Sequence, residues 1–430
     1  MATSTEISAA VSSKTLTERS HLLRGRLYGA AFILIALVTY WLFAQGVDAK
    51  MVSTYGLNQG NVPAAERLPD WTIPSFGTVA LLAVVSAGVG AYQLARGFGR
   101  ATSVVLGLVA LFFVFSFLTW STRDQSINLA GMLKTMVERA VPLTLGALSG
   151  ILCERAGVVN IAIEGMMLGA AMMAALVGSV SHNLWVGVLA AVLTGGVLAY
   201  VHAVLSIRFK VDQIISGTVI NIFATGMTSF ISSKFLQVYE DLNNPGTFSA
   251  YPIPLLSKIP FIGGIFFNSN IFTYGAYILI IVVHIGLFYT RWGLRVRAVG
   301  EHPRAADTLG INVFRVRYIN VVLGGLVAGF GGAYFTLGSV SSFDKLMTAG
   351  RGFIALAAMI FGKWTPLGSA GAALIFGFAE ALQTKLAILK VPIPSQFLLM
   401  APYVVTMIAL AGLIGRAIPP AADGQPYEKD

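Results

Sequence analysis

The sequence predicts an all-α membrane protein, a helical bundle with about ten to twelve transmembrane spans. The chain has 430 residues, of which 56% are hydrophobic and only 11% are charged, whereas a soluble globular protein carries about 25% charged residues. The apolar residues fall in long runs, and a helix needs about 20 such residues to cross a bilayer. The net charge of +10 comes from Lys and Arg in short loops between these runs, so it requires no nucleic-acid partner.

The candidate spans follow one another along the chain. They lie at roughly 27–44, 76–95, 104–120, 132–152, 165–182, 184–206, 213–236, 271–290, 318–338, 353–362, 366–387 and 396–416. The runs 132–152 and 353–362 are short, and we expect half-spans or re-entrant segments there. The expected number of spans therefore stays between ten and twelve.

The distribution of positive charge predicts the orientation in the membrane. If the N-terminus lies in the cytoplasm, Arg96, Arg208 and Lys363 fall in cytoplasmic loops, as the positive-inside rule requires. The loops 45–75 and 237–270, which carry little positive charge, then lie outside. We expect both termini in the cytoplasm.

Four regions are expected along the chain. They are a cytoplasmic N-terminal tail (1–26), extra N-terminal transmembrane helices (27–120), a core of further transmembrane helices (121–416) and a cytoplasmic C-terminal tail (417–430). A cleaved signal peptide is an alternative for the first apolar run, because Val47-Asp48-Ala49 loosely resembles a cleavage site.

The most basic stretch of the chain is the segment 290–322, which lies between two apolar runs and is predicted to be cytoplasmic. Pro303 suits the first turn of a helix and Gly310 a helix end, so a short helix is predicted between them. Such a helix, held between two spans, suits docking to a soluble partner. The alternative is an ordinary positively charged loop. The expected docking residues are Glu301, Pro303, Arg304, Ala305, Ala306 and Gly310.

Polar residues interrupt the apolar pattern at 154–165, where Glu154 and Arg155 are followed by a segment between Gly157 and Gly165. Asn160 and Glu164 in that segment are candidate pathway residues. Charged groups in a membrane are costly and usually functional, and this pattern suits a discontinuous helix that lines a cavity. Asn160 and Glu164 would share a face if the segment were helical. The alternative is a buried ion pair, of Glu154 with Arg155 or of Glu164 with another helix, that holds the bundle together.

Two further helices carry polar faces. The run 213–236 has a stripe of polar and small residues, which should face the bundle interior as a solute path or as interhelical hydrogen bonds. Asn221 and Thr225 are its candidate pathway residues, and Glu380 and Gln383 are those of the run 366–387. The lone histidine His202 is expected to be interfacial.

Several chemistries are excluded by the motifs that the chain lacks. Gly362-Lys363 continues with Trp364, so no phosphate-binding loop for ATP is present. The single cysteine, Cys153, allows no internal disulfide and no zinc-ligand set. No catalytic residue, metal site or cofactor is therefore expected in this chain.

Three stretches of the sequence resemble one family. ILCERAGVVNIAIEGMMLGAAM at 151–172 resembles the signature of permease subunits of ABC-type nucleoside importers, within the ribose and branched-chain amino acid permease superfamily. RAVGEHPRAADTLGINVFRVR at 297–317 resembles the coupling-helix region of that superfamily, including its A-A-x-x-x-G core. The stretch from 350 to 368 also fits, and the resemblance covers about residues 128–416.

The resemblance implies the partners of the chain. A second permease subunit, usually a different gene product, completes the pathway in the bacterial plasma membrane. ATP-binding subunits on separate chains hold the ATP and Mg and grip the coupling helices. An extracellular, lipid-anchored binding protein delivers the solute. The resemblance gives residues 1–120 no role.

The expected solute is a nucleoside, since amides and hydroxyls suit a neutral sugar and Phe223 and Phe230 lie on the helix of Asn221. A simple sugar or a branched-chain amino acid is the alternative within the family. An ion-coupled secondary transporter using Glu164 and Glu380, or a membrane scaffold, are alternatives from other classes.

Overall fold

A computed structural model describes residues 4–60, 62–63, 66–389, 397, 400 and 417–429. The chain forms two compact units. Residues 1–130 with 385–393 form the first, and residues 131–384 with 394–430 form the second.

The first unit contains three long helices and a small sheet. The helices are α1 (Ser4–Phe43), α2 (Ser75–Ala95) and α3 (Thr102–Ser121). The strands are β1 (Val52–Gly56), β2 (Trp71–Pro74) and β3 (Ser126–Asn128). β1 lies in the centre of the sheet, antiparallel to β2 and parallel to β3. The loop 45–75, which was predicted to lie outside, thus contributes two of the three strands of this sheet.

The second unit contains the remaining helices and one short hairpin. Its helices are α4 (Leu129–Glu154), α5 (Ile163–Ser181), α6 (Leu184–Ala203), α7 (Gln213–Ile231), α8 (Ile262–Phe266), α9 (Ile271–Tyr289), α10 (Arg291–Glu301), α11 (Pro303–Thr308), α12 (Val313–Phe335), α13 (Arg351–Phe361) and α14 (Pro366–Ile388). The strands β4 (Tyr251–Pro252) and β5 (Asn268–Ser269) pair in antiparallel register.

Ten helices of the described residues are long and apolar enough to cross a membrane, which confirms the predicted polytopic bundle. The run 132–152 belongs to α4, whose 26 residues make a full span, so a half-span there was wrong. The run 353–362 corresponds to α13, which has 11 residues and is too short to cross alone. The candidate span 396–416 lies outside the described residues.

Close helix packing depends on small residues between α6 and α12. A Cβ atom added at Gly195 would come within 2.7 Å of the Cα of Gly329, which no ordinary side chain tolerates. Small residues let membrane helices approach closely and gain dispersion contacts. The glycines of α6 and α12 at this contact therefore serve close helix packing.

Candidate functional site

The basic segment folds as two short helices, α10 and α11, between the spans α9 and α12. Thr290 begins α10 and accepts a hydrogen bond from the Gly293 N–H at 3.2 Å. Pro303 occupies the first turn of α11, which ends at Thr308. Gly310, just beyond that end, has a positive φ of 79°. Gly tolerates that conformation without steric cost. The short helix predicted between Pro303 and Gly310 is present.

The predicted docking residues divide into an exposed set and a buried one. Arg304 and Ala305 are exposed, whereas Ala306 is only 2% exposed. Ala306 packs with Val299 and Val313. Leu309, which the sequence analysis did not select, is 82% exposed. The accessible surface of this element therefore carries one large apolar side chain at its end.

The C-terminal segment 417–429 packs against α10 and α11 and forms hydrogen bonds with α10. The Ala422 N–H donates to the Gly300 carbonyl at 2.8 Å, and the Ala421 N–H donates to the Glu301 carboxylate at 3.1 Å. Tyr427 packs in the same apolar cluster as Ala306. The last residues of the chain thus form part of the surface that bears α10 and α11.

A buried arginine anchors the same segment. Arg317 is 2% exposed and donates a hydrogen bond to the Gln425 carbonyl at 2.9 Å. Asp423 lies beside Arg317 and the carboxyl group of Glu154. Burial raises the pKa of Asp423 to about 6, against the opposing effect of these polar neighbours.

Glu154 and Arg155, at the end of α4, bind a turn between two neighbouring helices. The indole N–H of Trp364 donates to the Glu154 carboxylate at 2.5 Å, and Arg155 donates to the Trp364 carbonyl at 3.1 Å. The two residues therefore both bind the turn between α13 and α14. They do not form the salt bridge that was considered as an alternative.

The interruption of the helical pattern is the non-helical connection 155–162 between α4 and α5. Asn160 is fully buried there, and its carboxamide oxygen accepts from the Ala162 N–H at 3.1 Å. Asn221 accepts from the Gly165 N–H at 2.7 Å and donates to the Ile161 carbonyl at 2.9 Å. These amides satisfy backbone groups that would otherwise be orphaned in a membrane interior.

Other residues of the α7 stripe bind the same connection. Gln213 accepts a hydrogen bond from the Val159 N–H at 2.6 Å. His202 of α6 is fully buried and bridges the Val159 carbonyl and the Ser216 hydroxyl, at 2.9 and 3.0 Å. The expectation of an interfacial His202 was wrong, because its ring completes this buried hydrogen-bond network.

Glu164 lies in the first turn of α5 and caps the half-length helix α13. Its carboxylate accepts from the Gly350 N–H at 2.9 Å, the Gly352 N–H at 2.6 Å and the Thr348 hydroxyl at 2.6 Å. Free N–H groups at a helix N-terminus attract negative charge. The Glu164 carboxylate thus fixes where α13 begins.

Arg351 connects Glu164 to the second predicted acid. It lies between the two glycines that Glu164 binds, and its guanidinium is 3.1 Å from the Glu380 carboxylate. The two side chains of this pair are 17% and 15% exposed. Arg351 was not predicted as a site residue from the sequence. Its partner Glu380 is 29 residues away, so the two do not have the three- or four-residue spacing that marks neighbours on one helix.

The remaining predicted pathway residues are less connected. Thr225 and Gln383 are half-buried, and their side chains make no hydrogen bond within the described part of the chain. Phe223 and Phe230 are 55% and 57% exposed, so they do not share the buried face of Asn221. No group of three or more potential metal ligands occurs among the residues that the structure describes.

The fold and this arrangement define a multi-pass membrane protein of the permease type. The chain belongs to the family described as "Branched-chain amino acid transport system / permease component", whose model matches residues 132–414. This assignment makes the chain a transport component and confirms the resemblance noted in the sequence.

Relatives with curated names point to the same family. The chain is 43% identical over 301 residues to the guanosine ABC transporter permease protein NupQ of Bacillus subtilis, covering 67% of this chain and 94% of NupQ. It is 40% identical over 309 residues to the nucleoside ABC transporter permease protein NupC of Lactococcus lactis, covering 68% and 95%. A putative glucose ABC transporter permease of Haloferax volcanii, TsgC13, is 37% identical over 60% of this chain and 78% of its own. No solved structure gave a significant match.

Proposed function

We propose that this chain is the permease subunit of an ATP-driven nucleoside importer. The observation that supports this most is the pair of short helices α10 and α11 between the spans α9 and α12. Leu309, at the end of α11, is 82% exposed. An exposed apolar side chain on a polar surface suits insertion into a groove of a partner protein.

ATP hydrolysis takes place on a separate ATPase subunit, which binds the ATP and Mg. This chain needs no cofactor. Glu301, Pro303, Arg304, Ala305, Ala306 and Gly310 build the docking element, with Leu309 at its end. Two relatives at 40–43% identity are named guanosine and nucleoside permeases, and this supports a nucleoside as the solute. A second permease subunit and an extracellular lipid-anchored binding protein complete the transporter.

The orientation follows from the same proposal. Both termini lie in the cytoplasm, so the segment 417–429 and the helices α10 and α11 meet the ATPase side of the bacterial plasma membrane. The first unit is an addition to the permease core, which comprises the second.

Import of a simple sugar is a second candidate function. The TsgC13 relative, named a putative glucose permease, favours it at 37% identity. Hydroxyl-binding side chains serve a sugar and the ribose of a nucleoside equally well.

Co-purification tests the docking part of the proposal. The full transporter is expressed from its operon, and this chain is captured from detergent extracts through an affinity tag. We expect the ATPase subunit to be retained in stoichiometric amount, and Leu309→Glu to release it while the second permease remains bound. Retention of the ATPase by that variant would contradict docking at α11.

A further inference from the structure

A charged cluster lies in the second unit, towards the start of α4 and the end of α14. Glu138 lies nine residues after Leu129 at the start of α4, or ~14 Å along the helix. Glu380 lies eight residues before the end of α14 at Ile388, or ~12 Å. The two carboxylates therefore stand at a similar depth on antiparallel helices.

The two helices touch at this depth. A Cβ atom added at Gly377 would come within 2.9 Å of the backbone nitrogen of Ala140, so no side chain separates α14 from α4 there. Glu380 is one helical turn further along, on the same side of α14 as Gly377. Close packing at Gly377 thus brings the Glu380 side chain towards the part of α4 that bears Glu138.

Tyr334 of α12 lies near the charged groups of this cluster. Its hydroxyl lies within electrostatic range of Glu138, Arg139, Arg351 and Glu380. These groups come from four helices (α4, α12, α13 and α14), and they contribute two positive and two negative charges. Lys134, whose ammonium group is 3.8 Å from the Glu138 carboxylate, adds a third positive charge at the edge of the cluster.

Part of the cluster, on α4, is exposed at the surface of the second unit. The Glu138 side chain is 42% exposed, and Arg139 is exposed as well. Charged side chains at membrane depth face a water-filled cavity or a protein partner, because lipid penalises them strongly. The exposed charges of the cluster therefore suit a site that water or a polar solute reaches.

The Arg351–Glu380 pair retains unused hydrogen-bonding capacity. A guanidinium has five N–H donors, and Arg351 uses one on Glu380 at 3.1 Å and a longer one on the Thr348 carbonyl at 3.5 Å. A carboxylate that accepts from the vicinal hydroxyls of ribose is a recurrent device in nucleotide-binding folds. The pair thus offers both a carboxylate acceptor and guanidinium donors to a diol.

We propose that Arg351 and Glu380, with Glu138 and Tyr334 beside them, form a binding station for the vicinal hydroxyls of a ribose in transit. The inference rests on the proposed nucleoside function. Glu164 is a positioning residue here, since it fixes the start of α13 and thereby the place of Arg351. It does not itself contact the solute.

The test compares uptake of labelled guanosine and 2′-deoxyguanosine by cells that carry the complete transporter, at concentrations that saturate the binding protein with either solute. We expect Glu380→Gln to lower the ratio of guanosine to 2′-deoxyguanosine uptake about tenfold, since a hydrogen bond to a charged group is lost for the ribose alone. Glu380→Asp, which keeps the charge, should retain most of the ratio.

Two further variants distinguish direct contact with the sugar from a general effect on the fold. Glu164→Gln should lower uptake of both nucleosides by the same factor, because it loosens α13 without touching the sugar. Glu240→Gln, an exposed carboxylate outside the cluster, should leave uptake and ratio unchanged. Membrane quantities of every variant are measured alongside.

The failures are distinguishable. An unchanged ratio in both Glu380 variants, with nucleoside uptake intact in the wild type, would overturn the binding station and leave the proposed function standing. Absence of any nucleoside uptake by the wild-type transporter would overturn the proposed function, and this inference with it.

Discussion

The carboxylate of Glu164 accepts a hydrogen bond from the Gly352 N–H at 2.6 Å, across 188 residues of sequence. This contact joins the first turn of the full span α5 to the first turn of the half-length helix α13. A short helix in a membrane has few contacts with which to fix its depth, and an acid at its N-terminus replaces the missing anchor. The arrangement explains why an acid is present at this place in an apolar chain.

Replacing Glu164 by Gln should therefore destabilise the second unit. The neutral amide loses the charge at the α13 N-terminus and at least one acceptor, a loss of about 1–3 kcal/mol. We expect a lower unfolding temperature of the purified transporter in detergent, with reduced uptake of every solute. An unfolding temperature equal to that of the wild type would show that α13 does not depend on this cap.

Asn221→Leu should reduce the amount of folded protein. It removes the partners of the Gly165 N–H and the Ile161 carbonyl, and each buried unpaired group costs about 1–3 kcal/mol. Thr225→Val, one turn further along α7, is the matched control, because its side chain makes no hydrogen bond within the described residues. Fluorescence-detected size-exclusion of tagged variants measures the folded fraction. Normal folding of Asn221→Leu with a pure transport defect would instead place Asn221 in the solute path.

The surface of α11 predicts different outcomes for adjacent alanines. Ala305→Glu introduces charge on an exposed position, so the protein should insert normally and lose ATP-dependent uptake. Ala306→Glu introduces charge into the cluster of Val299 and Val313, so the fold of the coupling element itself should fail. Protease sensitivity of the loop 290–312 separates the two results. Equal protease resistance in both variants would contradict the burial of Ala306.

The C-terminal segment should bind more tightly in mild acid. The pKa of Asp423 is raised from its ordinary value of 3.8 to about 6 by burial, so the docked segment takes up a proton that the released segment does not. Docking therefore strengthens as pH falls from about 6 towards 4 and weakens as pH rises through about 6. Cys153, Glu154, Arg317 and Tyr427 are the ionisable groups that face or adjoin Asp423.

Hydrogen exchange of the amides in 419–428 measures this docking. We expect greater protection at pH 5.5 than at pH 7.5 after correction for intrinsic exchange, and Asp423→Asn should flatten the difference. Glu428 does not contribute in this range, because Lys210 lowers its pKa below the ordinary value. Greater protection of the wild type at pH 7.5 would contradict the raised pKa of Asp423.

Much of the fold was predictable because its signals are local. Apolar runs of span length, the arginines of the segment 290–322 and the Pro303–Gly310 spacing are all read within one stretch of chain. The membrane makes these signals stronger, since every lipid-facing residue must be apolar.

The contacts that define the site were not predictable in the same way. Arg351 pairs with Glu380 across 29 residues, and Arg317 binds the Gln425 carbonyl across 108. Neither pair has the three- or four-residue spacing of neighbours on one helix. A backbone carbonyl is present at every residue, so the sequence does not show that the Gln425 carbonyl is an acceptor. The exposed Leu309 was overlooked for a related reason, since an isolated leucine in a basic loop is distinguished only by its place at the end of α11.

Competitive uptake tests the central claim, ATP-driven nucleoside import through this permease, most directly. Cells that carry the whole operon are supplied with labelled guanosine, adenosine, uridine, ribose, glucose or leucine, with and without excess unlabelled nucleoside. The account predicts nucleoside uptake that depends on ATP and is abolished when the ATPase subunit is catalytically inactive. Uptake of glucose, ribose or leucine that unlabelled nucleosides do not compete, with no nucleoside uptake at all, would contradict it.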